Sequence, residues 1–256
     1  MSRQTQAIIH ADAILSNFKL LAELAPTSRS MAVVKADAYG HGAVNVSRIL
    51  QHVSPRFAVA IIEEAIALRE AGITAPIVVL EGAHQAKECA MAASHGCILV
   101  MHNQAQLEWM LACPEDRRPT IWLKADSGMH RLGFVLNTLP SIVKQYASLI
   151  TQDTVLVTHL ACADDTSNDF TQKQLSAFLQ IALPVSIANS PATIEWPQSR
   201  GDWNRLGIAV YGGQPNTANV ALAPTMTLRS SIIALRDVPK GESVGYGQNW
   251  VAQKDS

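Results

Sequence analysis

The sequence is short of charge and of aromatic residues, with 16% charged and 5% aromatic positions in 256 residues. Twenty Lys and Arg against 21 Asp and Glu give a net charge of -1, so there is no basic surplus to hold a nucleic-acid backbone or an anionic membrane. Cysteine is scarce as well. Cys89, Cys97, Cys113 and Cys162 show neither C-x-x-C spacing nor the density of a disulfide scaffold, which suits a reducing compartment. No apolar run approaches the roughly 18 residues of a membrane span. The start, MSRQTQAIIHADAIL, is polar where a secretory leader needs an apolar core. Internal repeats, low-complexity tracts and Gly/Ser linkers are also missing. The expectation is a cytoplasmic globular protein whose partners are neither nucleic acid nor membrane.

What is present is a 48% hydrophobic chain able to bury a sizeable core. Short β-rich runs alternate with segments of helical period: Met31 to Lys35, Arg56 to Ala60, Ile77 to Leu80, Cys97 to Met101, Thr120 to Lys124, Val155 to Thr158, Val185 to Ala188 and Ile208 to Tyr211. Between them, Ile62 to Ala71 predicts a helix stopped by Gly72 and Pro76. Asp12 is a candidate cap for an earlier helix with the apolar face Ile14, Leu15, Phe18, Leu21 and Leu24. Apolar strands separated by helices imply a parallel sheet covered on both faces. Eight such units predict an α/β fold, a (β/α)8 TIM-type barrel over residues 1–224; a doubly wound open sheet is the alternative that periodicity leaves open. After Pro224 the pattern alternates, in Met226 to Leu235 and in Ser243 to Val251, around a turn at Pro239-Lys-Gly241. Residues 225–256 therefore read as the opening of an antiparallel β-domain, because a hairpin of this size is marginal alone.

Barrel active sites lie at the carboxyl ends of the strands. Lys35 ends the first candidate strand, Lys124 the fifth and Tyr211 the eighth, while His159 follows the sixth and Asn189 and Ser190 the seventh. One lysine at a strand end commonly just snorkels to solvent. Convergence from five strands argues for a site. Asp164 and Asp165 read as a solvated loop rather than a metal site, and His41 as a turn residue.

Two segments are long enough to be specific: Ala32-Val-Val-Lys35-Ala-Asp-Ala-Tyr39-Gly-His-Gly42 and Lys124-Ala-Asp-Ser-Gly128-Met-His-Arg131-Leu-Gly-Phe134. With Thr158-His159 to Asp165, Asn189-Ser190-Pro-Ala192 and Trp203-Asn-Arg205-Leu-Gly207-Ile208 to Gly212, they resemble, in the same order, segments of the bacterial alanine racemases. The resemblance implies a pyridoxal 5'-phosphate isomerase that interconverts L- and D-alanine and supplies D-alanine for peptidoglycan, as a homodimer when full length. It implies that Lys35 carries the cofactor and acts as an acid/base. Tyr39, Ser190 and the backbone of Gly207 and Ile208 match positions at the cofactor phosphate. His159 and Asn189 match further cofactor contacts, and Arg205 matches the partner of the pyridine nitrogen. Arg131 matches the residue holding the substrate carboxylate, and Lys124 a lysine carbamylated to face that arginine.

Two departures stand out. Leu206 replaces a usual proline and Pro191 a small residue, so the turns presenting Arg205 and Ser190 are expected to be disturbed. A second acid/base tyrosine, which the family draws from a further domain of a partner subunit, has no counterpart here; Tyr246 lies upstream of that position. The chain thus reads as truncated, and these 256 residues alone are expected to racemise poorly. Competing readings are a pyridoxal-phosphate barrel that only carries the cofactor, a barrel decarboxylase sharing the first lysine motif, and a cofactor-independent racemase with two cysteine bases.

Overall fold

The computed structural model describes residues 4–178, 183–213 and 220–256. The first three residues of the stretch searched for a leader are outside that set. Eight parallel strands among the described residues build a barrel: β1 (Arg29–Val33), β2 (Phe57–Val59), β3 (Ile77–Val79), β4 (Cys97–Met101), β5 (Ile121–Asp126), β6 (Leu156–Val157), β7 (Val185–Ser186) and β8 (Trp203–Leu206). They pair in the order β8-β1-β2-β3-β4-β5-β6-β7. The remaining seam, between β7 and β8, is closed by Arg205 N–H to the Ala188 carbonyl at 2.9 Å and Ser186 Oγ to the Trp203 carbonyl at 2.9 Å. Around the strands lie α1 (Ala11–Glu23), α2 (Ala43–Leu50), α3 (Ile62–Glu70), α4 (Lys87–Ser94), α5 (Gln104–Ala112), α6 (Leu139–Gln145), α7 (Phe170–Ala177) and α8 (Ser190–Glu195).

Side chains alternate across each strand, and this sorts the core into two layers. Met31, Val33, Ala58, Val78, Val100, Trp122, Val157 and Trp203 fill the barrel interior. Ala32, Phe57, Val59, Ile77, Leu99, Leu123 and Leu206 face outward and pack with Ile14, Phe18, Leu21 and Leu68 of the helices. At the amino-terminal end, the Arg56 guanidinium lies 4.2 Å from the Trp203 ring and 5.5 Å from that of Trp122, closing the floor by cation–π contact. The same parity carries the line of Trp122 on to Lys124, of Val157 to His159 and of Trp203 to Arg205. All three therefore rise toward the open, carboxyl end.

The eighth strand differs from expectation. Ile208–Tyr211 is a 3-10 turn, and β8 lies earlier, at Trp203–Leu206. Asn204 and Arg205 hid it from a search for apolar runs, and Gly207 ends it with φ -116° and ψ -106°. Tyr211 thus closes no strand; its hydroxyl donates to the Val33 carbonyl at 2.7 Å. Asp12 sits in the first turn of α1, and His10 occupies the cap position, its side chain making no capping bond to the helix. Lys35 follows β1 instead of ending it, and Lys124 lies inside β5.

The barrel belongs to a compact unit, Ile9–Met226; Thr227–Ser256 cluster separately with the residues before Ile9. In that second unit, 238–244 and 250–256 run as an antiparallel pair, with Val238 and Ser256 exchanging backbone bonds and Ser243 bridged to Val251. The alternating run from Met226 is a strand only to Arg229, where Gln6–Ile9 supplies a ladder. Beyond it Ile232, Ile233 and Leu235 are exposed.

Candidate active site

A cavity of about 590 Å³ opens at the carboxyl ends of the strands, and Lys35, Tyr39, Lys124, Arg131, His159, Asn189, Ser190, Arg205, Gly207 and Ile208 all line it. The ten residues given a role by the resemblance therefore meet in one place, whereas Tyr211, the remaining strand-end residue of the expected convergence, is not among the lining residues. Leu80, Glu81, Met129 and Asp164 line it too. Asp164, read as a solvated loop residue, belongs to the wall, whereas the Asp165 carboxylate turns to the Ser167 amide and hydroxyl.

The backbone after Lys35 is unusual. Ala36, Asp37, Ala38 and Tyr39 have φ of 52° to 54°, a left-handed turn built without glycine. Such a turn costs about 1–2 kcal/mol per residue, so it persists only where the surroundings impose it. Here Glu64 of α3 accepts from the Ala36 and Ala60 amides at 2.7 Å each, and Asp37 Oδ1 accepts from Ala43 N–H at 2.7 Å. His41 supports the same turn: its Nδ1 lies 3.1 Å from the Ala38 carbonyl and its Nε2 2.9 Å from Thr225 Oγ1. The result swings Tyr39 over the end of β8, against the Tyr211 ring at 4.9 Å between centroids. Burial raises the Tyr39 hydroxyl above its ordinary range, so it stays a donor.

That hydroxyl stands over Gly207, where an added Cβ would lie 2.6 Å from Tyr39 Oη. Ser190 Oγ accepts from Gly207 N–H at 2.8 Å, so this amide, expected to face an anion, is engaged by the serine. Pro191 falls in the first turn of α8, where a missing N–H removes no intrahelical bond, and Asn189 caps that turn by accepting from Ala192 N–H at 3.1 Å. Leu206 is fully buried at the end of β8, paired in register with Ala32. Pro191 thus costs α8 no intrahelical hydrogen bond, and Leu206 is packed in the core. Two hydroxyls and a glycine backbone with room for nothing larger fit a phosphate group.

Arg205 is the most constrained side chain of the site. Its Nη1 donates to the Ser186 carbonyl and hydroxyl at 2.8 Å each, and its Nη2 contacts the carbonyls of Thr158 at 2.7 Å and Ile187 at 3.0 Å. Nη2 also lies 3.0 Å from His159 Nδ1. A guanidinium only donates, so His159 Nδ1 accepts and the imidazole proton sits on Nε2. Burial, then the cations Arg205, Lys124, Arg131 and Lys35, hold His159 neutral by pushing its pKa well below the ordinary value. Burial and Arg131 lower Arg205 to about 10, which leaves it charged at neutral pH. Lys124, 8% exposed, is lowered to about 7 by burial, Arg205 and Arg131, against an opposing pull from Asp126. Above about pH 7 the uncharged form of the Lys124 amine predominates, and that form is a nucleophile.

Cys89, Cys97 and Cys113 are buried, and none of the four cysteines is among the cavity-lining residues. Burial pushes the Cys89 thiol up to about 11, the opposite of a reactive thiolate.

Comparisons with known proteins agree with this geometry. The family model "Alanine racemase, N-terminal domain" matches residues 9–215, and "Alanine racemase, C-terminal domain" matches residues 225–256. An alanine racemase of Alteromonas mediterranea is 66% identical over 263 residues, covering 100% of this chain and 74% of that protein. The crystal structure of biosynthetic alanine racemase from Pseudomonas aeruginosa superposes with a TM-score of 0.92 at 38% identity, over 99% of this chain and 73% of that one. The alanine racemase from Bartonella henselae, solved with covalently bound pyridoxal phosphate, gives 0.87 at 28% identity, over 98% and 73%. The chain belongs to the alanine racemase family, isomerases that use pyridoxal phosphate to interconvert the enantiomers of alanine.

Proposed function

We propose that Lys35 is the amine that carries the cofactor, and that it takes and returns the α-hydrogen on one face of alanine. The observation that carries this reading is the convergence of all ten motif positions on one cavity. Bound there, pyridoxal phosphate supplies a conjugated ring that stores the electron pair left at Cα when the hydrogen departs. Tyr39 and Ser190 hold the phosphate through their hydroxyls, with Asn189, Gly207 and Ile208 shaping the cradle. His159, neutral and tethered to Arg205, would help hold the ring. Arg205 would be the partner of the cofactor's pyridine nitrogen, and a guanidinium that keeps its proton at neutral pH would leave that nitrogen unprotonated, which would limit side reactions. Arg131 binds the substrate carboxylate through its planar fork. Lys124, once carbamylated, steadies Arg131 from behind.

Inversion also needs an acid/base on the opposite face. The tyrosine that serves this role by resemblance has no counterpart among residues 1–256, so Lys35 alone handles the D-alanine face here. The enzyme works as a homodimer in the cytoplasm and supplies D-alanine for peptidoglycan, with residues 225–256 opening the β-domain that follows the barrel of residues 1–224. Among the described residues no helix is long and apolar enough to cross a membrane.

The test is chemical. Protein incubated with pyridoxal phosphate and reduced with borohydride should carry a stable label on Lys35. Label on Lys124, or scattered over surface lysines, refutes the assignment.

A further inference from the structure

The buried face of α7 is not wholly apolar, because Thr171 and Gln174 lie on it, and Gln174 is 1% exposed. A buried primary amide is costly unless both of its ends are bonded. This one is saturated by two loops of the active site. Oε1 accepts from Ala161 N–H at 2.9 Å, while Nε2 donates to the His159 carbonyl at 3.1 Å and to Ser127 Oγ at 3.2 Å. Ser127 Oγ in turn lies 2.8 Å from Thr158 Oγ1, which donates its proton to the Ala125 carbonyl at 3.0 Å. The direction of the chain follows. Thr158 has spent its proton, so Ser127 donates to Thr158 and accepts from Gln174, and the amide has one satisfied orientation.

The two loops so joined carry different duties. Ser127 and Gly128 lead into Met129 and Arg131 on the cavity wall, and a Cβ on Gly128 would lie 3.2 Å from Phe170 Cζ and 3.5 Å from Gln174 Cγ, so α7 sits directly on this loop. His159 presents its ring to Arg205 from the other loop. Gln174 itself does not line the cavity. We infer that Gln174 is a positioning residue that locks the Ser127–Arg131 loop to the His159–Ala161 turn, so that Arg131 and His159 hold one mutual geometry. The inference rests on the roles given above to Arg131 and His159.

The experiment compares the full chain with Gln174→Met, which keeps volume and loses all three bonds, and Gln174→Glu, which keeps the acceptor for Ala161 and loses both donors. Lys173→Ala on the exposed face of α7 is the control. Residue-resolved hydrogen exchange without cofactor, and the half-saturating D-alanine concentration in α-deuterium exchange with cofactor, are the readouts. Gln174→Met should speed exchange at Gly128–Arg131 and at Ala161, and raise half-saturation about tenfold with a smaller change in maximal rate. Gln174→Glu should leave Ala161 protected while the Gly128–Arg131 amides loosen. Burial raises an introduced carboxyl, so lowering the pH from about 9 to about 6 restores a donor and shrinks this defect. The cavity beside these loops also holds Lys35, Lys124, Arg131, Arg205 and His159, of which Lys124 changes charge near pH 7, and Asp126, His130, Lys173 and Asp169 lie close by, so each value is divided by that of the parent. Acid rescue occurs in one unchanged polypeptide, and urea midpoints taken at both pH values separate it from global destabilisation by the buried carboxylate. Parent-like behaviour of Gln174→Met, or a Gln174→Glu defect indifferent to pH, overturns the inference. If Arg131→Ala also leaves half-saturation unchanged, the reading of the site fails with it; if Arg131→Ala is impaired and Gln174→Met is not, only the positioning role falls.

Discussion

Replacing Lys124 with methionine should stabilise the protein at neutral pH, by an amount that vanishes in alkali. The amine falls from an ordinary 10.5 to about 7 through burial and the charges of Arg205 and Arg131, with Asp126 opposing. At about 1.4 kcal/mol per tenfold change in proton affinity, this depression is worth about 5 kcal/mol. Between about 7 and 10.5 the unfolded chain binds more protons than the folded one, so stability rises with pH across that window. The full penalty applies below about 7 and is gone above 10.5. Methionine binds no proton, so the pH dependence of the difference between parent and variant isolates the lysine. Urea unfolding should show the pH-dependent advantage of Lys124→Met at about 4 kcal/mol near pH 7 and under about 1 kcal/mol near pH 10. Bicarbonate adds a second arm. Carbon dioxide adds to the neutral amine, a C–N bond forms, one N–H proton leaves to solvent, and the product is an anionic carbamate among guanidinium charges, so bicarbonate near pH 8 should stabilise the parent and leave Lys124→Met unmoved. A gap constant with pH would refute the electrostatic argument; indifference of the parent to bicarbonate would remove the carbamate.

Arg131→Ala should weaken alanine binding by about 1.5–3 kcal/mol while pyridoxal phosphate binds nearly as before, since a charged bidentate partner is lost on the substrate side only; superimposable alanine titrations would count against it. Gly207→Ala places a methyl 2.6 Å from Tyr39 Oη and should lower cofactor affinity at least about tenfold with little change in the urea midpoint. Arg205→Lys leaves several buried acceptors unpaired and should cost about 3 kcal/mol of stability, and an unchanged midpoint would show that water replaces the guanidinium. A polypeptide limited to residues 1–256 should exchange the α-hydrogen of D-alanine for deuterium well ahead of that of L-alanine. Racemisation by it at the rate of a full-length relative would reveal a second acid/base within these residues.

The barrel was legible because its interior and exterior strand positions are both apolar, which makes each strand a continuous run. β8 was not, since the polar side chains of Asn204 and Arg205 interrupt the run, and the apolar stretch after Gly207 looked more like a strand than the strand did. The site residues were legible through their motifs, and most lie beside strand ends. What held them was not. The left-handed turn at Ala36–Tyr39 has no glycine to announce it and depends on Glu64 from another helix. Gln174 shows in sequence as a polar residue on a short amphipathic helix, three places after Thr171, with nothing to say which loops its amide would meet. Such partners are set by tertiary approach, on which local spacing is silent.

The arrangement at the barrel mouth also explains why the chain tolerates what looks like an electrostatic fault. Lys35, Lys124, Arg131 and Arg205 share one cavity with the carboxylates of Glu81 and Asp164, fewer than the cations; Glu81 is paired with His84 at 3.2 Å, and the nearby Asp126 carboxylate is spent locally, accepting from the amides of Gly128 and His130 and from the His130 ring. Charges held this close in a desolvated space repel, and two respond in the direction that relieves it: Lys124 drops toward neutrality, and His159 is held neutral. Arg205 remains charged and is fixed by carbonyls and hydroxyls instead of a carboxylate. A carboxylate in that place would offset the charge and leave less of it for a ligand. With neutral acceptors, the guanidinium is held in position while its charge stays available. On the reading proposed above, phosphate, substrate carboxylate and carbamate would each offset part of this repulsion, and the free energy of that relief would go into binding.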